Sequence, residues 1–236
     1  MNNLISIIIP VYNHAQELRG CLESLKHQTI QNFELIIIDD GSADGVAAVA
    51  EDAKHTFTQC VFMQQQNRGA PAARNRGADM ARGGYFLFLD ADITLKPRAL
   101  EHFLQALEDN PHAAFSYSAF YFGFKLMRGV AFDPERLKQF NYIHTSSLLR
   151  ANYFSGFDES LKRFQDWDLW LTVVKNGGVG VLINEPLFKI KPRATGMSTW
   201  LPSLMYRLPW HLIGWMPAPV RTYIEAQKII RAKHEL

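Results

Sequence analysis

Two carboxylates stand where a buried strand is expected to end. Asp90 and Asp92 follow the apolar run 85–89 and are separated by one alanine. A pair at this spacing can hold Mg or Mn, which prefer oxygen ligands and keep positions open for substrate phosphates. Like charges this close are costly unless a cation joins them. The pair therefore predicts a divalent-metal site, although a solvated turn would also explain it.

A second acidic pair, Asp39 and Asp40, closes another apolar run and is followed by Gly41 and Ser42. A carboxylate here can accept hydrogen bonds from a nucleotide base or from ribose hydroxyls. Asp-Gly-Ser is also an ordinary turn sequence, and this explanation has priority for the motif taken alone.

Asp166 lies at the predicted start of a helix, within the sequence Phe-Gln-Asp-Trp-Asp. An aspartate at a helix N-terminus often serves only to cap the helix. Its functional interpretation is a general base that faces an acceptor hydroxyl. Asp168, in the same helix start, is expected to be structural.

Glycine-rich phosphate loops are absent: no G-x-G-x-x-G follows a strand, and no G-x-x-x-x-G-K occurs. A bound nucleotide would need carboxylates, a metal and basic side chains such as Arg68 and Arg74. A nucleotidyltransferase would want a glycine- and lysine-rich loop near the N-terminus, and Pro10–Asn13 is not one.

The first half of the chain alternates apolar runs with amphipathic stretches, which predicts a parallel sheet covered by helices on both faces. Ligands are then expected beyond the carboxyl ends of the strands. Asn13 is the expected N-cap of the first helix. The predicted strands are 4–9, 33–38, 60–63 and 85–89, and the predicted helices are 15–28, 46–54, 72–82 and 97–108.

The second half is less regular, and 124–141 shows no clear period. Residues 199–236 combine aromatic anchors with a basic end, which is typical of a membrane-surface segment and equally of a packed lid. Predicted strands are 113–122, 143–149 and 179–183, and predicted helices are 166–175 and 221–233.

The bulk composition leaves most function classes open. The chain has 236 residues, 25 basic against 23 acidic, and this net charge of +2 gives no reason to expect a nucleic-acid partner. Its two cysteines predict buried thiols in a reducing cytoplasm. The N-terminus has no signal-peptide pattern, and its apolar run is too short to span a bilayer.

Taken together, five motifs over roughly residues 4–198 resemble glycosyltransferase family 2, which has the GT-A fold. No single motif is decisive, but their order and spacing are specific. The matching segments are 6–13 for the opening strand and turn, 39–45 for the nucleotide-binding turn, 67–69 with 73–77 for the donor-side loop and helix, 88–92 for the D-x-D metal motif, and 156–159 with 165–171 for the segment of the catalytic base.

The resemblance implies an α/β GT-A (Rossmann-like) fold with a mostly parallel sheet in residues 1–198, of which 1–110 bind the nucleotide-sugar and 111–198 the acceptor. It implies inverting transfer from a nucleotide-sugar donor, with UDP the expected nucleotide, to an acceptor hydroxyl. Asp166 is the expected base, and Asp92 with Asp90 the expected ligands of Mn or Mg. The expected donor-binding residues are Pro10, Val11, Tyr12, Asp39, Asp40, Asn67, Gly69, Arg74 and Asp90.

Two departures from the family pattern weaken this expectation. Gln165 stands where the family usually has glutamate, and no histidine follows the last predicted strand, so Lys191 or Arg193 is a substitute contact for the diphosphate. The alternative is a nucleotide-sugar-binding protein with little or no catalysis. Family members in bacterial surface-polysaccharide assembly often use lipid-linked acceptors, which suggests a cytoplasmic protein in peripheral contact with the inner face of the membrane through 199–236.

Overall fold

The computed structural model describes residues 3–192 and 216–236. In its first half, strands alternate with helices along the chain. The elements are β1 (Ile5–Val11), α1 (Ala15–Lys26), β2 (Phe33–Asp39), α2 (Val46–Thr56), β3 (Cys60–Gln64), α3 (Ala70–Met80) and β4 (Tyr85–Phe88).

The second half contains shorter and less regular elements. They are β5 (Ile93–Leu95), α4 (Ala99–Asp109), β6 (Phe115–Phe122), β7 (Lys125–Met127), α5 (Pro134–Gln139), β8 (Leu148–Arg150), a single 3-10 turn (Ala151–Tyr153), α6 (Gln165–Lys175), β9 (Gly180–Ile190) and α7 (Ala218–His234).

One sheet runs through the described residues in the order β3-β2-β1-β4-β8-β6-β9-β5, with β7 paired to β6. The first four of these strands are parallel, whereas β8 joins both β4 and β6 in antiparallel pairing. Every residue of β1 and of β2 is buried, as expected for strands with helices on both faces. The predicted α/β fold, with its helix-covered sheet, is confirmed.

Because β1, β2 and β4 are parallel neighbours, their carboxyl ends meet at one edge of the sheet. Val11 pairs with Asp39 in the register of β1 and β2, and Ile8 pairs with Phe88 in that of β1 and β4. The turns after these three strands are therefore brought together, as the parallel-sheet prediction required.

Helix α3 lies close against this sheet because residue 77 is glycine. A Cβ at Gly77 would lie 2.4 Å from Cγ2 of Ile8, so a larger side chain would push the helix away from β1. Gly77 thereby sets the distance from the sheet to Arg74, which lies one turn earlier on the same helix.

The prediction of Asn13 as N-cap is wrong. His14 is the N-cap of α1, and the first helical N–H, that of Ala15, donates instead to Asp44 Oδ2 at 2.9 Å. Asn13 adopts a left-handed conformation with φ of 53°, and its side chain accepts the N–H of Ala43 instead. A carboxylate from another loop has replaced the local cap, which a sequence window cannot reveal.

Strand boundaries differ most in the second half. The predicted strand 143–149 is only Leu148–Arg150, and the predicted strand 179–183 continues to Ile190. Region 124–141, which has no clear period, contains β7 and α5. Asp133 caps α5 by accepting the N–H groups of Glu135 and Arg136, so a recognisable Asp-Pro helix start was overlooked there.

Helix α7 extends the predicted 221–233 helix by a turn at its start and packs on α6, with Ile230 completely buried. Within 3–192 and 216–236, no helix is long and apolar enough to cross a membrane. Residues 199–215 of the predicted lid or membrane segment, which include Trp200, lie outside the described residues, as does Arg193. The division at residues 110 and 198 stays a prediction.

Candidate donor and transfer site

Asp39 forms the turn that its sequence suggested. Its Oδ1 accepts the backbone N–H of Ser42 at 2.8 Å, and its Oδ2 accepts from the side-chain amide of Gln64 at 3.0 Å. The residue is 1% exposed. The ordinary turn explanation is therefore satisfied at Asp39, and any contact with a nucleotide would be additional to it.

Asp40 organises the loop that leads into α3. Its Oδ1 accepts from the Gln65 side chain and from the N–H of Arg68, and its Oδ2 accepts the N–H of Gly69 at 2.7 Å. Gly69 has φ of 93°, a conformation that favours glycine. Asp40 thus shapes the donor-side loop, whose Asn67 is exposed.

The turn after β1 is tied to the turn after β2. The N–H of Asn13 donates to Ser42 Oγ at 2.8 Å, and Asn13 Oδ1 accepts the N–H of Ala43 at 2.8 Å. Pro10 and Val11 are buried in β1, so their side chains are not available to a ligand, whereas Tyr12 is 47% exposed. Of these three predicted contacts, Tyr12 is the one with an exposed side chain, and the donor contacts themselves stay predictions.

The D-x-D pair follows β4 at the same edge. Arg74 Nη2 donates to Asp90 Oδ1 at 2.7 Å, and the backbone oxygen of Asp92 accepts the N–H of Lys191 at 3.1 Å. Both carboxylates act electrostatically on Cys21, whose pKa is raised mainly by complete burial and further by Asp92 and Asp90. The buried-thiol prediction holds for Cys21, whereas Cys60 is only partly buried.

Arg74 connects the D-x-D motif to the start of α6. While Nη2 binds Asp90, Nη1 donates to Gln165 Oε1 at 3.1 Å, and the guanidinium lies 5.3 Å from the ring centre of Phe157. Arg74 is 6% exposed, and its buried Nε–H has no hydrogen-bond partner in the described part of the chain. Buried donors are rarely left unpaired, so an acceptor from a ligand fits this position.

Helix α3 also holds the segment before α6. Asn75 donates to the carbonyl oxygen of Phe157 at 2.9 Å and accepts the Phe157 N–H at 2.7 Å. Glu159 accepts from Arg68 and from Asn75. The motifs around 67–77 and 156–159, far apart in sequence, are therefore neighbours.

Asp166 occupies the first turn of α6 and is partly buried. Its Oδ1 accepts the N–H of Trp167 at 2.9 Å, and its Oδ2 accepts from Asn141 Nδ2 at 2.7 Å. Burial raises the pKa of the Asp166 carboxyl, Arg74 opposes that rise, and Asp90 adds to it. A raised pKa makes the carboxylate a stronger base, which suits proton abstraction.

Two residues at the site were missed by pattern reading because they lie in irregular chain. Asn141 holds Asp166, and the N–H of Ile143 fixes its amide by donating to Oδ1 at 3.1 Å. His144 packs 5.2 Å from the rings of both Phe120 and Phe188. Burial lowers the His144 pKa to about 4, despite the opposing effect of Asp90, so this ring is neutral at pH 7.

Asp168 has the structural role that was expected. It is 3% exposed and accepts from Lys233 Nζ at 2.9 Å, and it lies 2.8 Å from His234 Nε2. Lys233 also donates to Asp158 at 2.6 Å. The end of α7 is thus joined to the helix start that carries Asp166.

Within 3–192 and 216–236, no three His, Cys, Asp or Glu side chains form a ready-made metal cluster. The donor set of Asp90 and Asp92 nevertheless fits Mg or Mn, since such ions often take one or two carboxylates and complete their shell with water and substrate phosphates. The two carboxylates are compatible with a metal that binds together with its nucleotide.

Comparison with known proteins agrees with this arrangement. The family model "Glycosyl transferase family 2" matches residues 6–161. An uncharacterised glycosyltransferase of Haemophilus influenzae is 31% identical over 199 residues, which cover 78% of this chain and 67% of that protein. Two further curated bacterial relatives are matched over only 30% and 32% of their own length.

Solved structures share the fold at low identity. S. aureus TarS 1-349 in complex with UDP-GlcNAc has a TM-score of 0.72 and 18% identity, over 98% of this chain and 71% of that one. The mannosyltransferase PcManGT of Pyrobaculum calidifontis, in complex with GDP-Man and Mn2+, has a TM-score of 0.63 and 16% identity, over 98% and 70%. These structures show the shared fold, and the family model, which spans more than half of the sequence, together with the 31% identical relative, establishes that the chain belongs to glycosyltransferase family 2.

Proposed function

We propose that this glycosyltransferase moves a sugar from a nucleotide-sugar, with UDP as its nucleotide, to an acceptor hydroxyl with inversion at the anomeric carbon. Asp166 accepts the proton of the hydroxyl while the hydroxyl oxygen forms the new bond to that carbon. The bond from the anomeric carbon to the nucleoside diphosphate breaks, and the diphosphate leaves with the electron pair. One protein base suffices because the donor brings its own leaving group.

The observation that carries this proposal is the hydrogen-bonded link from Asp90 through Arg74 to Gln165. It joins the motif expected at the diphosphate to the residue immediately before the proposed base. Asp90 and Arg74 both act electrostatically on Asp166, so the three charges occupy one site. Proton abstraction and leaving-group departure would take place at the two ends of this link.

The leaving diphosphate needs positive charge. A bound Mn or Mg, held by Asp92 and Asp90, would supply it as a Lewis acid. Arg74 is the second source, because its buried Nε–H lacks a partner among the described side chains and backbone groups and a diphosphate oxygen would satisfy it. Lys191, whose N–H already binds the strand end at Asp92, is a further candidate contact.

The nucleoside is proposed to lie over the turns after β1 and β2. Tyr12 offers an exposed ring for the base. Asp39 is proposed to contact the base or ribose through a carboxylate whose oxygens also accept from Ser42 and Gln64. Asp40, Asn67 and Gly69 would shape the loop beside it. UDP is tested first because TarS, a fold neighbour, was solved with UDP-GlcNAc, although PcManGT was solved with GDP-Man.

The proposed acceptor is a saccharide, free or lipid-linked, in polysaccharide, lipopolysaccharide or glycolipid synthesis. The proposed location is the cytoplasmic face of the cell membrane, with peripheral contact through residues 199–236. Support comes from the aromatic and basic sequence of that segment and from the family. Residues 218–234 of the segment form α7, which packs on α6 instead of standing apart.

Calorimetric titration tests the donor site. The full chain is titrated with UDP, GDP and dTDP, each with and without Mn, and then as Asp92→Ala and as the control Asp52→Ala, which removes a surface carboxylate on α2. Metal-dependent binding of UDP that Asp92→Ala weakens at least about tenfold, and that Asp52→Ala retains, is the expected result. Binding that is indifferent to Asp92 would contradict the metal assignment, and no binding of any nucleotide by folded protein would contradict the transferase proposal.

A nucleotide-sugar-binding protein without catalysis is the alternative suggested by Gln165. Turnover separates the two functions. UDP-sugars are incubated with simple saccharide acceptors and with lipid-linked ones, and release of UDP above the rate of donor hydrolysis indicates transfer. Tight binding with no acceptor-dependent release from any pair would favour the alternative.

A further inference from the structure

The hairpin of β6 and β7 ends in an exposed aromatic tip. Gly123 and Phe124 form its turn, and the Phe124 side chain is 98% exposed. Leu126, on the returning strand, is 39% exposed. A phenylalanine so completely in water gains no apolar burial from the fold of this chain, which suggests an apolar environment supplied from outside.

Positive charge surrounds this tip. Lys189 Nζ lies 5.1 Å from the centre of the Phe124 ring, and Lys125, Arg128 and Lys191 are exposed nearby in the paired strands and their ends. Acidic residues on this side include Glu17, whose carboxylate is 3.7 Å from Lys191 Nζ, and Asp92, whose carbonyl oxygen accepts the Lys191 N–H.

The sequence extends the same charge bias well beyond the tip. No Asp or Glu occurs in 111–132 or in 186–224, whereas these segments hold two and five Lys or Arg residues respectively. A chain with nearly balanced charge overall thus has no acidic side chain in two sequence segments, parts of which, 121–128 and 189–191, meet at this hairpin. Such a bias favours an anionic partner.

The basic aromatic rim formed by 121–128 and 189–191 borders the proposed site. The N–H of Gly123 donates to the carbonyl oxygen of Ile190 at 3.0 Å, and the next residue, Lys191, donates its N–H to the carbonyl oxygen of Asp92 at 3.1 Å. Two backbone hydrogen bonds therefore connect the exposed tip to the D-x-D motif. Whatever binds the rim lies beside the site.

We infer that the basic aromatic rim rests on an anionic lipid surface, with Phe124 inserted among the lipids and the surrounding lysines at the headgroups. A phenylalanine ring has no hydrogen-bonding group to orient a sugar or a peptide, but its apolar surface suits the acyl boundary. Lysine and arginine near the membrane are attracted by anionic headgroups. The site then faces the lipid surface, where a lipid-linked acceptor presents its hydroxyl; this consequence rests on the proposed function, whereas lipid binding does not.

Vesicle flotation tests the inference with the full chain. The probes are vesicles of phosphatidylcholine alone and of phosphatidylcholine mixed with phosphatidylglycerol. We expect binding to the mixed vesicles, weaker binding at high salt, and a loss of about tenfold both in Phe124→Ser and in Lys125→Gln with Lys189→Gln. The matched control is Val179→Ser with Lys175→Gln, which removes an exposed apolar side chain and an exposed lysine outside both the rim and residues 199–236 and should bind like the unmodified chain.

Tryptophan fluorescence tests whether residue 124 inserts among the lipids. Phe124→Trp should add a fluorescence component that shifts to shorter wavelength with mixed vesicles, relative to the unmodified chain with its five tryptophans. No flotation of the unmodified chain, equal flotation of the hairpin variants, or no added shift would each overturn the inference. Flotation that persists without any sugar transfer would contradict the proposed function alone.

Discussion

Two buried carboxylates occupy opposite edges of the molecule and behave in opposite ways. Glu34, at the amino edge of the parallel strands, is 3% exposed and accepts from Ser6 Oγ, from the N–H and Nε of Arg82 and from the N–H of Gly83. Burial raises its pKa, but these hydrogen bonds outweigh burial, and the Glu34 pKa is lowered.

Asp166, in the candidate site, accepts from Trp167 and Asn141, and burial dominates, so its pKa is raised. The difference teaches that burial alone does not set the role of a carboxylate. At Glu34 the hydrogen bonds outweigh burial and make the carboxylate a structural acceptor, whereas at Asp166 burial outweighs them and the carboxylate keeps the capacity to take a proton. Substitution of Glu34 should therefore affect mainly stability, and substitution of Asp166 should affect mainly catalysis.

The largest difference between the effect on kcat and the effect on stability is expected from Asp166→Asn. The amide cannot accept the acceptor proton, so kcat should fall about 10²- to 10⁴-fold. Nearly the same shape is kept, and the free energy of unfolding should change little. The measurement is transfer with the donor and acceptor that the unmodified chain turns over, with thermal unfolding measured in parallel. Full transfer by this variant would remove Asp166 from the mechanism.

Glu34→Ala should give the opposite result. Buried Ser6 Oγ would lose its acceptor, and the Gly83 N–H would keep only Ser6 Oγ, which should lower the free energy of unfolding by about 1–3 kcal/mol. Since Arg82 is largely exposed, water would solvate its charge and the cost should stay within that range. In the folded fraction, kcat should be unchanged.

Denaturant titration measures the change, and Glu51→Ala is the control. Glu51 is a half-exposed carboxylate paired with Lys54, so its loss should cost less than about 0.5 kcal/mol. If Glu34→Ala lowered kcat while stability stayed the same, the two edges would not be independent.

Activity and folding measured over one pH series distinguish the role of Asp166 from that of Glu34. Asp166 must be ionised to act, so kcat at saturating substrates should fall as pH drops through a folded pKa above the ordinary 3.8, with Arg74 and Asp90 the charges that face it. The Glu34 contribution is complete above its unfolded pKa, near 4.5, and is lost only as pH falls through its lowered folded value.

Acidification should therefore pass through a window of folded, reversibly inactive protein. Activity and circular dichroism are recorded over the same pH values, and Asp166→Asn provides the control, since its residual activity should lack this acid limb. A common midpoint for activity and unfolding would show that acid inactivates the protein by unfolding it.

The sequence alone predicted the features that depend on neighbouring residues, namely the strands, the turns after them and the D-x-D motif. The runs that become β1 and β2 are apolar apart from Ser6 and Glu34, so their strands and the turns after them were predicted to within two residues. Asp90 and Asp92 were recognisable because D-x-D follows such a run. These inferences needed only periodicity and the rule that ligands bind at the carboxyl ends of parallel strands.

The partners of these residues were not predictable, because they depend on contacts between distant segments. Nothing in 141–146 indicates that Asn141 would hold Asp166, 25 positions away. Arg74 was expected to contact the donor, which stays a prediction, and its links to Asp90 and Gln165, 16 and 91 positions away, were not foreseen. Pairing at this range is decided by packing of the whole sheet, which a window of neighbouring residues does not contain.

The smallest expected effect comes from the junction of α7 and α6. Lys233→Met removes one donor from Asp168, which is as buried as Glu34 but lies only two residues from Asp166. Lys233 is partly exposed and His234 remains beside Asp168, so the free energy of unfolding should fall by about 0.5–1 kcal/mol. If Asp168 is structural only, kcat should stay within about twofold of the unmodified value, while Lys228→Met, on the exposed side of α7, should change neither quantity. A large loss of kcat with little loss of stability would instead mean that α7 helps to position Asp166 through Asp168. Asp168 would then serve catalysis, and the distinction between structural and catalytic carboxylates would fail within α6.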